Sequence, residues 1–323
     1  MNKEFIKKFT SLRVMVIGDL MADKYIHGNI TRLSTEAPVP VVMVANELYE
    51  LGGAANVANN ASNLGANVFL SGIVGYDDAA HSFRNLVRDS GINSGGIFPS
   101  NDRPTTQKVR ISSVKYNQNL FRFDYESVEP LNKTDMASIY RYVNSWMSEI
   151  DLVILADYEK GVLSNPQFNM QIIELANNKN LITVVYTRAK HLNYFNEANV
   201  IITTVKDALN YAAKSSGREF FELEDAGKLI VESHNNKAAI IIDEDYSIHL
   251  FLDDGSHNYL PIQVDVYREV VGIMDVITST SALCVASGAD YLTACNIISK
   301  AIKIALKKKG TSTIGLEELL KSF

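Results

Sequence analysis

An α/β fold with a mostly parallel central sheet is predicted by three observations. Short apolar runs bounded by glycine or aspartate alternate with stretches of helical periodicity along most of the 323 residues. The runs are continuously apolar, as expected of strands covered by helices on both faces. Two further strand-like stretches have no helix between them, which points to a small separate β-sheet.

The elements follow in order. Arg13 to Ile17 is an apolar run closed by Gly18-Asp19, a first core strand. After Gly52-Gly53, apolar residues recur at Ala54, Val57, Ala58, Ala61 and Leu64 before Gly65, one helical face with a glycine stop. A strand from Asn67 to Gly72, a helix from Asp77 to Ser90, a strand from Leu152 to Leu155, a helix after Pro166 and a strand from Leu181 to Val185 continue the alternation. Ala238 to Ile242 and Ile248 to Leu252 read as strands around a turn, and Asp275 to Ser287 and Tyr291 to Leu306 as two closing helices. The stretches that break the pattern are Pro38 to Val44, Thr105 to Ser113 and Leu120 to Tyr125. They suit a lid over the body, with strands in about 20–45 and 103–126, or an edge hairpin. No repeat or linker divides the chain, so residues 1–323 read as one domain.

Composition limits the function. Hydrophobic residues at 46% and charged residues at 21% are those of a globular chain. A net charge of −6 opposes attraction to nucleic acid or anionic membranes, and neither is expected as a partner. Lys307-Lys308-Lys309 follows an apolar helical stretch and reads as a solvated helix end. Cys284 and Cys295 lie in apolar, helix-like segments without metal spacing and read as core residues in a reducing compartment. The six histidines form no HxxxH pair, no GxSxG or Walker A sequence occurs, and no metal site is expected. The polar N-terminus and the lack of any long apolar run point to a cytoplasmic protein.

Several motifs coincide in order: Gly18-Asp19-Leu20-Met21-Ala22-Asp23, Glu36-Ala37-Pro38-Val39-Pro40-Val41, Gly52-Gly53-Ala54-Ala55-Asn56 and Arg103-Pro104-Thr105-Thr106. Asp157 to Leu163 and Lys309 to Thr313 extend them almost to the C-terminus. From about Arg13 to Leu320 the chain resembles the ribokinase-like (phosphofructokinase-B type) carbohydrate kinases, nearest the heptose-7-phosphate kinase branch. The resemblance implies a three-layer fold with a β-lid that often mediates dimerisation. It also implies Mg-ATP-dependent phosphorylation of D-glycero-D-manno-heptose 7-phosphate at its anomeric oxygen.

It assigns the acceptor sugar to Asp19, Asp23 and Asn56, with Gly52 and Gly53 allowing close backbone approach. The acceptor phosphate calls for cations, and Arg103, Lys108 and Arg110 lie on or near one lid strand, the last two on a shared face. These three also read as ordinary solvated strand charges.

The nucleotide side departs from the family pattern. A GAGD segment, whose amides stabilise the transferred phosphoryl group and whose Asp is the base, here reads Gly272-Ile273-Met274-Asp275. Asp275 survives, while Met274 replaces a glycine. A TRGxxG-like turn reads Ile242 to Ser247 and carries Asp243-Glu244-Asp245. The NxxE segment reads Thr204-Val205-Lys206-Asp207, a DPK-like stretch reads Tyr186-Thr187-Arg188, and the DYGKG glycine is Glu159. Three readings remain open at this level. The chain is a heptose-7-phosphate kinase homologue with a retained sugar-phosphate pocket and a degenerate ATP site, a working kinase with altered loops, or a non-catalytic partner. Mg-ATP is needed only if the chain is active.

Overall fold

A computed structural model describes residues 2–113, 118–217, 222–263, 271–308 and 310–323. The strands are β1 (Arg13–Gly18), β2 (Leu20–Leu33), β3 (Pro40–Gly53), β4 (Asn67–Gly75), β5 (Asn93–Ser100), β6 (Thr106–Ser113), β7 (Gln118–Tyr125), β8 (Leu152–Ala156), β9 (Ile182–Tyr186), β10 (Val200–Thr204), β11 (Ala238–Ile242), β12 (Ile248–Leu252) and β13 (His257–Leu260). The helices are α1 (Asn2–Lys8), α2 (Ala54–Asn63), α3 (Asp78–Asp89), α4 (Lys133–Trp146), α5 (Pro166–Asn177), α6 (Val205–Ser216), α7 (Leu223–Glu232), α8 (Ile273–Ala286), α9 (Tyr291–Ala305) and α10 (Leu316–Lys321).

The large sheet runs β13-β12-β11-β10-β9-β8-β1-β4-β5, parallel except for β12 and β13 at one edge. Its central strands are apolar throughout because both faces are covered. Val14 and Val16 of β1 enter one core with α2, α8 and α9, while Met15 and Ile17 enter another with α4 and α5. Each such side chain contributes roughly 1.5–3 kcal/mol by leaving water. Helix α8 is buried along nearly its whole length, with its N-terminus at the carboxyl ends of the parallel strands.

The strand-like stretches outside the alternation belong to a separate four-stranded sheet, β3-β2-β6-β7, and not to an edge of the large one. Its extent differs from expectation: β2 and β3 form one long hairpin, and β3 continues past position 45 to Gly53. Much of this hairpin is exposed, so polar residues such as Lys24, Asn46 and Glu47 replace the apolar alternation that marks half-buried strands. Strand β5, helix α4 and the β10–α6–α7 run were also outside the sequence reading. The start of β6 is pinned to the body where the Asp77 carboxylate accepts the Thr105 amide at 2.8 Å and Thr105 Oγ1 accepts the Gly75 amide at 2.9 Å.

Cys284 and Cys295 are buried in α8 and α9, and burial pushes the Cys295 thiol up to about 12. Lys308 is tied to the Thr313 carbonyl and to Glu318, both at 2.7 Å, so that part of the basic run is a helix-end clamp, not a free cation. Lys309 lies outside the described residues. Among the described residues no helix is long and apolar enough to cross a membrane.

Candidate functional site

A cavity of about 490 Å³ opens where β8, β9, β10 and β11 end, beside the small sheet and against the N-terminus of α8. Its floor is Asp275. Asn56 Nδ2 donates to Asp275 Oδ2 at 2.6 Å, and the Tyr158 hydroxyl donates to Oδ1. Burial pushes the Asp275 carboxyl up to about 6 against these two bonds. Burial first, and then Asp275 itself, hold the Tyr158 phenol far above its usual range, so tyrosine remains the donor. An oriented carboxylate titrating just below neutrality is suited to accept a proton from a hydroxyl.

The helix start above this floor follows from Gly272, which caps α8 at φ +85°. A Cβ there would stand 2.6 Å from Asn56 Nδ2, so only glycine leaves the Asn56–Asp275 bond intact. The amides of Ile273 and Met274 precede the intrahelical ladder and border the cavity, an arrangement that favours an anion. The Met274 side chain borders the cavity too and packs partly against the core.

This helix start is fastened from the far end of the chain. Val271 bridges Thr311, and the Ser312 amide donates to the Val271 carbonyl at 2.9 Å. Thr311 is held in turn by the small sheet: its amide donates to Glu50 at 2.9 Å, and its hydroxyl meets the Tyr25 hydroxyl at 3.1 Å.

The residues assigned to the acceptor divide. Asp23, Gly53, Lys108 and Arg110 border the cavity. Asp23 is ion-paired to Arg110, whose guanidinium lies over the Tyr25 ring. Gly52 packs directly under Asp23, where a Cβ would come within 2.6 Å of Oδ2, and Gly53 turns the chain into α2 at φ +55°. Asn56 is fully buried and reaches the cavity only through Asp275.

Asp19 is turned away from the cavity. Its carboxylate accepts the amides of Tyr158 (2.8 Å), Lys160 (3.0 Å) and Val162 (3.0 Å), fixing the loop after β8. Burial, then the nearby Asp157, push Asp19 up to about 6 in spite of those amides. Asp19, expected at the sugar, does not border the cavity in this structure, and both its oxygens accept backbone amides. Arg103 is also placed elsewhere: its guanidinium donates to the Lys160 carbonyl at 2.9 Å and to the Glu129 carbonyl, away from the phosphate position expected for it.

The opposite wall carries the nucleotide-side residues. Thr204 caps α6, accepting the Asp207 amide at 3.1 Å and donating to its carboxylate at 2.8 Å. Asp207 is engaged further by the Ala189 amide at 3.3 Å and by Arg188 at 3.7 Å, and it does not border the cavity. Asp243 and Glu244 do border it, on the turn between β11 and β12, with Lys206 nearby on the same wall. This wall thus joins the unpaired amides at the start of α8, which favour an anion, to an acidic turn, which does not. Among the described residues, no group of three or more His, Cys, Asp or Glu is placed to hold a metal.

Sequence reasoning missed Tyr158 as a cavity residue; the signal was its place beside Asp157 in a motif otherwise read for its glycines. Glu159, next in that motif, stands at φ +58°, its amide held by the Asp157 carboxylate at 3.0 Å. The backbone there keeps a conformation natural to glycine.

Comparison with known proteins places the chain. The profile of the pfkB family carbohydrate kinases matches residues 11–317. A protein named bifunctional protein HldE from Helicobacter pylori (strain J99) is 35% identical over 320 residues, covering 95% of this chain and 65% of that protein. The protein of the same name from Shewanella baltica (strain OS185) is 31% identical over 320 residues, covering 99% and 65%. The chain thus spans about 65% of the length of these curated relatives. Arabidopsis thaliana ribokinase complexed with ribose and ATP superposes with a TM-score of 0.69 at 15% identity, over 96% of this chain and 98% of that one. The tetrameric inhibited form of Escherichia coli phosphofructokinase-2 gives 0.74 at 14% identity, over 96% and 97%. At such identities the likeness is one of fold.

Proposed function

The chain belongs to the pfkB family of carbohydrate kinases, and on that premise we propose that it binds a phosphorylated sugar of the heptose 7-phosphate class and transfers phosphate to it weakly or not at all. The supporting observation is the contrast within one cavity. Asp275, Asn56, Gly272 and Tyr158 form an ordered base and anion cradle, while Asp243 and Glu244 stand where a triphosphate would approach. Bound Mg-ATP would supply the phosphoryl group and neutralise part of its charge. Asp275 would take the proton of the sugar hydroxyl, held in line by Asn56 and Tyr158, and the α8 amides would bear the charge developing on the phosphoryl oxygens. Asp23 and the backbone at Gly53 would hold sugar hydroxyls, and Lys108 and Arg110 the acceptor phosphate.

The small sheet supports a homodimer. Phe121, Phe123 and Tyr125 recur on one face of β7, and Leu33, Val39, Met43, Val44 and Leu48 are exposed on or beside the long hairpin. A second copy would cover this apolar surface. The net charge of −6 favours a protein free of nucleic acid, and a cytoplasmic location is part of the same reading.

Calorimetric titration with heptose 7-phosphate and, separately, Mg-ATP tests the reading. Binding of sugar phosphate with weak or absent ATP binding is expected. Turnover of roughly 1–100 per second, abolished by Asp275→Asn, would show that the donor wall works as built and would reject the impaired-donor reading. Binding of neither would leave an interaction protein.

A further inference from the structure

Glu126 lies just beyond β7, outside the ladder of the small sheet. Two ammonium groups from different layers converge on its carboxylate. Lys160, in the loop after β8, reaches Oε1 at 2.9 Å, and Lys108 of β6 bonds Oε2. The three side chains are only 14–26% exposed. Lys108 also contacts Asp124 at 2.7 Å, but Asp124 is its cross-strand neighbour in the β6–β7 register and is held by Arg122 at 2.9 Å. Glu126 is thus the anion that can withdraw without unpairing a strand.

We propose that Glu126 is a built-in substitute for the acceptor's phosphate, and that Lys108 and Lys160, with Arg110 two residues along the same strand face, form a phosphomonoester site that Glu126 fills until substrate displaces it. This deepens the sugar-phosphate reading and rests on it. The chemistry favours exchange in one direction. A carboxylate brings one charge and two oxygens to the lysines, whereas a phosphomonoester brings nearly two charges and three terminal oxygens. A neutral sugar offers nothing that competes with Glu126, so the device discriminates for phosphorylated acceptors. Because Glu126 also ties the small sheet to the loop after β8, the entering phosphate replaces one tie between layers by another, and the cavity roof stays attached throughout.

The test uses the full chain and inorganic phosphate as probe, followed by heptose 7-phosphate, in calorimetric titrations. Glu126→Gln, which keeps the side chain's size, is expected to tighten phosphate binding about tenfold. Lys160→Met is expected to weaken it at least tenfold in the otherwise unchanged chain, which keeps the test valid should Glu126→Gln fold poorly. Phosphate affinity unchanged or weakened in folded Glu126→Gln overturns the inference, as does an unaffected Lys160→Met. If heptose 7-phosphate binds the wild type and Glu126→Gln equally, the sugar-phosphate reading stands and the Glu126 inference falls. If phosphate responds to both substitutions but no variant binds heptose 7-phosphate, the anion site stands and the heptose reading falls.

Discussion

The two walls of the cavity manage charge in opposite ways. On the wall formed by β2, β6 and the loop after β8, each cation near the cavity faces an acid: Arg110 meets Asp23, and Lys108 and Lys160 meet Glu126. On the wall formed by β10, α6 and the β11–β12 turn, Asp243 and Glu244 border the cavity beside Lys206, and the nearby cation Arg188 is drawn to Asp207. The first wall thus sets three cations against two acids, and its internal anion can be exchanged for an external one. The second places two acids and one lysine beside the cavity, a field that under the proposed function opposes a polyphosphate until it is neutralised. Where charges lie already paired, a ligand meets a site prepared for it; where they do not, it meets a field.

The floor between the walls gives the largest expected effect. Asp275 is raised from the ordinary carboxylate value of 3.8 to about 6, so the folded chain holds its proton more tightly than the unfolded one. That contribution to stability is complete below about pH 4 and is lost as pH rises through about 6; at roughly 1.4 kcal/mol per pH unit, the loss amounts to about 2–3 kcal/mol by pH 7. Asp19, also raised to about 6, falls in the same window, so Asp275→Asn should roughly halve the loss of thermal stability between pH 4 and 7 while removing any phosphotransfer, and an unchanged pH profile would mean that Asp275 is not buried as described. Next, Asp23→Ala strands Arg110 and should weaken sugar-phosphate binding by about thirtyfold, near 2 kcal/mol; equal binding by the variant would remove the first wall from the acceptor site. Asp243→Arg combined with Glu244→Gly reverses the field on the second wall and should tighten Mg-ATP by about tenfold at low salt, an effect that fades at high salt. No change at any ionic strength would erase the difference between the walls. The smallest effect is expected at Glu159, where glycine would relieve the φ of +58° and raise the melting temperature by about 1–2 °C.

The contrast between walls was legible in the residues that mark backbone shape and charge. Gly53, Gly272, Asp275, Asp243 and Glu244 border the cavity, and Gly52 packs behind Asp23. The parallel strands were legible as well, because burial on both faces leaves an unbroken apolar run. What sequence could not give was the partner of each polar group. Asp19 and Arg103 carry the residue types of ligand contacts, yet spend them on backbone amides and carbonyls contributed by a loop some 140 and 60 residues away. Glu126 showed no signal, and Lys160 showed only a cation in a motif, since their meaning lies in a meeting between two layers. The long hairpin was misjudged in extent for a related reason: an exposed ribbon has no buried face to impose a period on its residues.

The fastening of Val271 to Thr311 has a consequence for the order in which the chain is built. Contacts at the helix start join residues far apart in sequence: Asn56 with Asp275, Glu50 and Tyr25 with Thr311, and Asn60 with Ser312 and Ile314. A nascent chain emerging N-terminus first can complete the first strands, the small sheet and much of both cores before any of these partners exists. The pocket is therefore closed only when the segment following α9 leaves the ribosome and docks. Until then the strand ends stand open, and a chain stalled after Leu306 would hold most of its fold without the clasp that sets its chemistry.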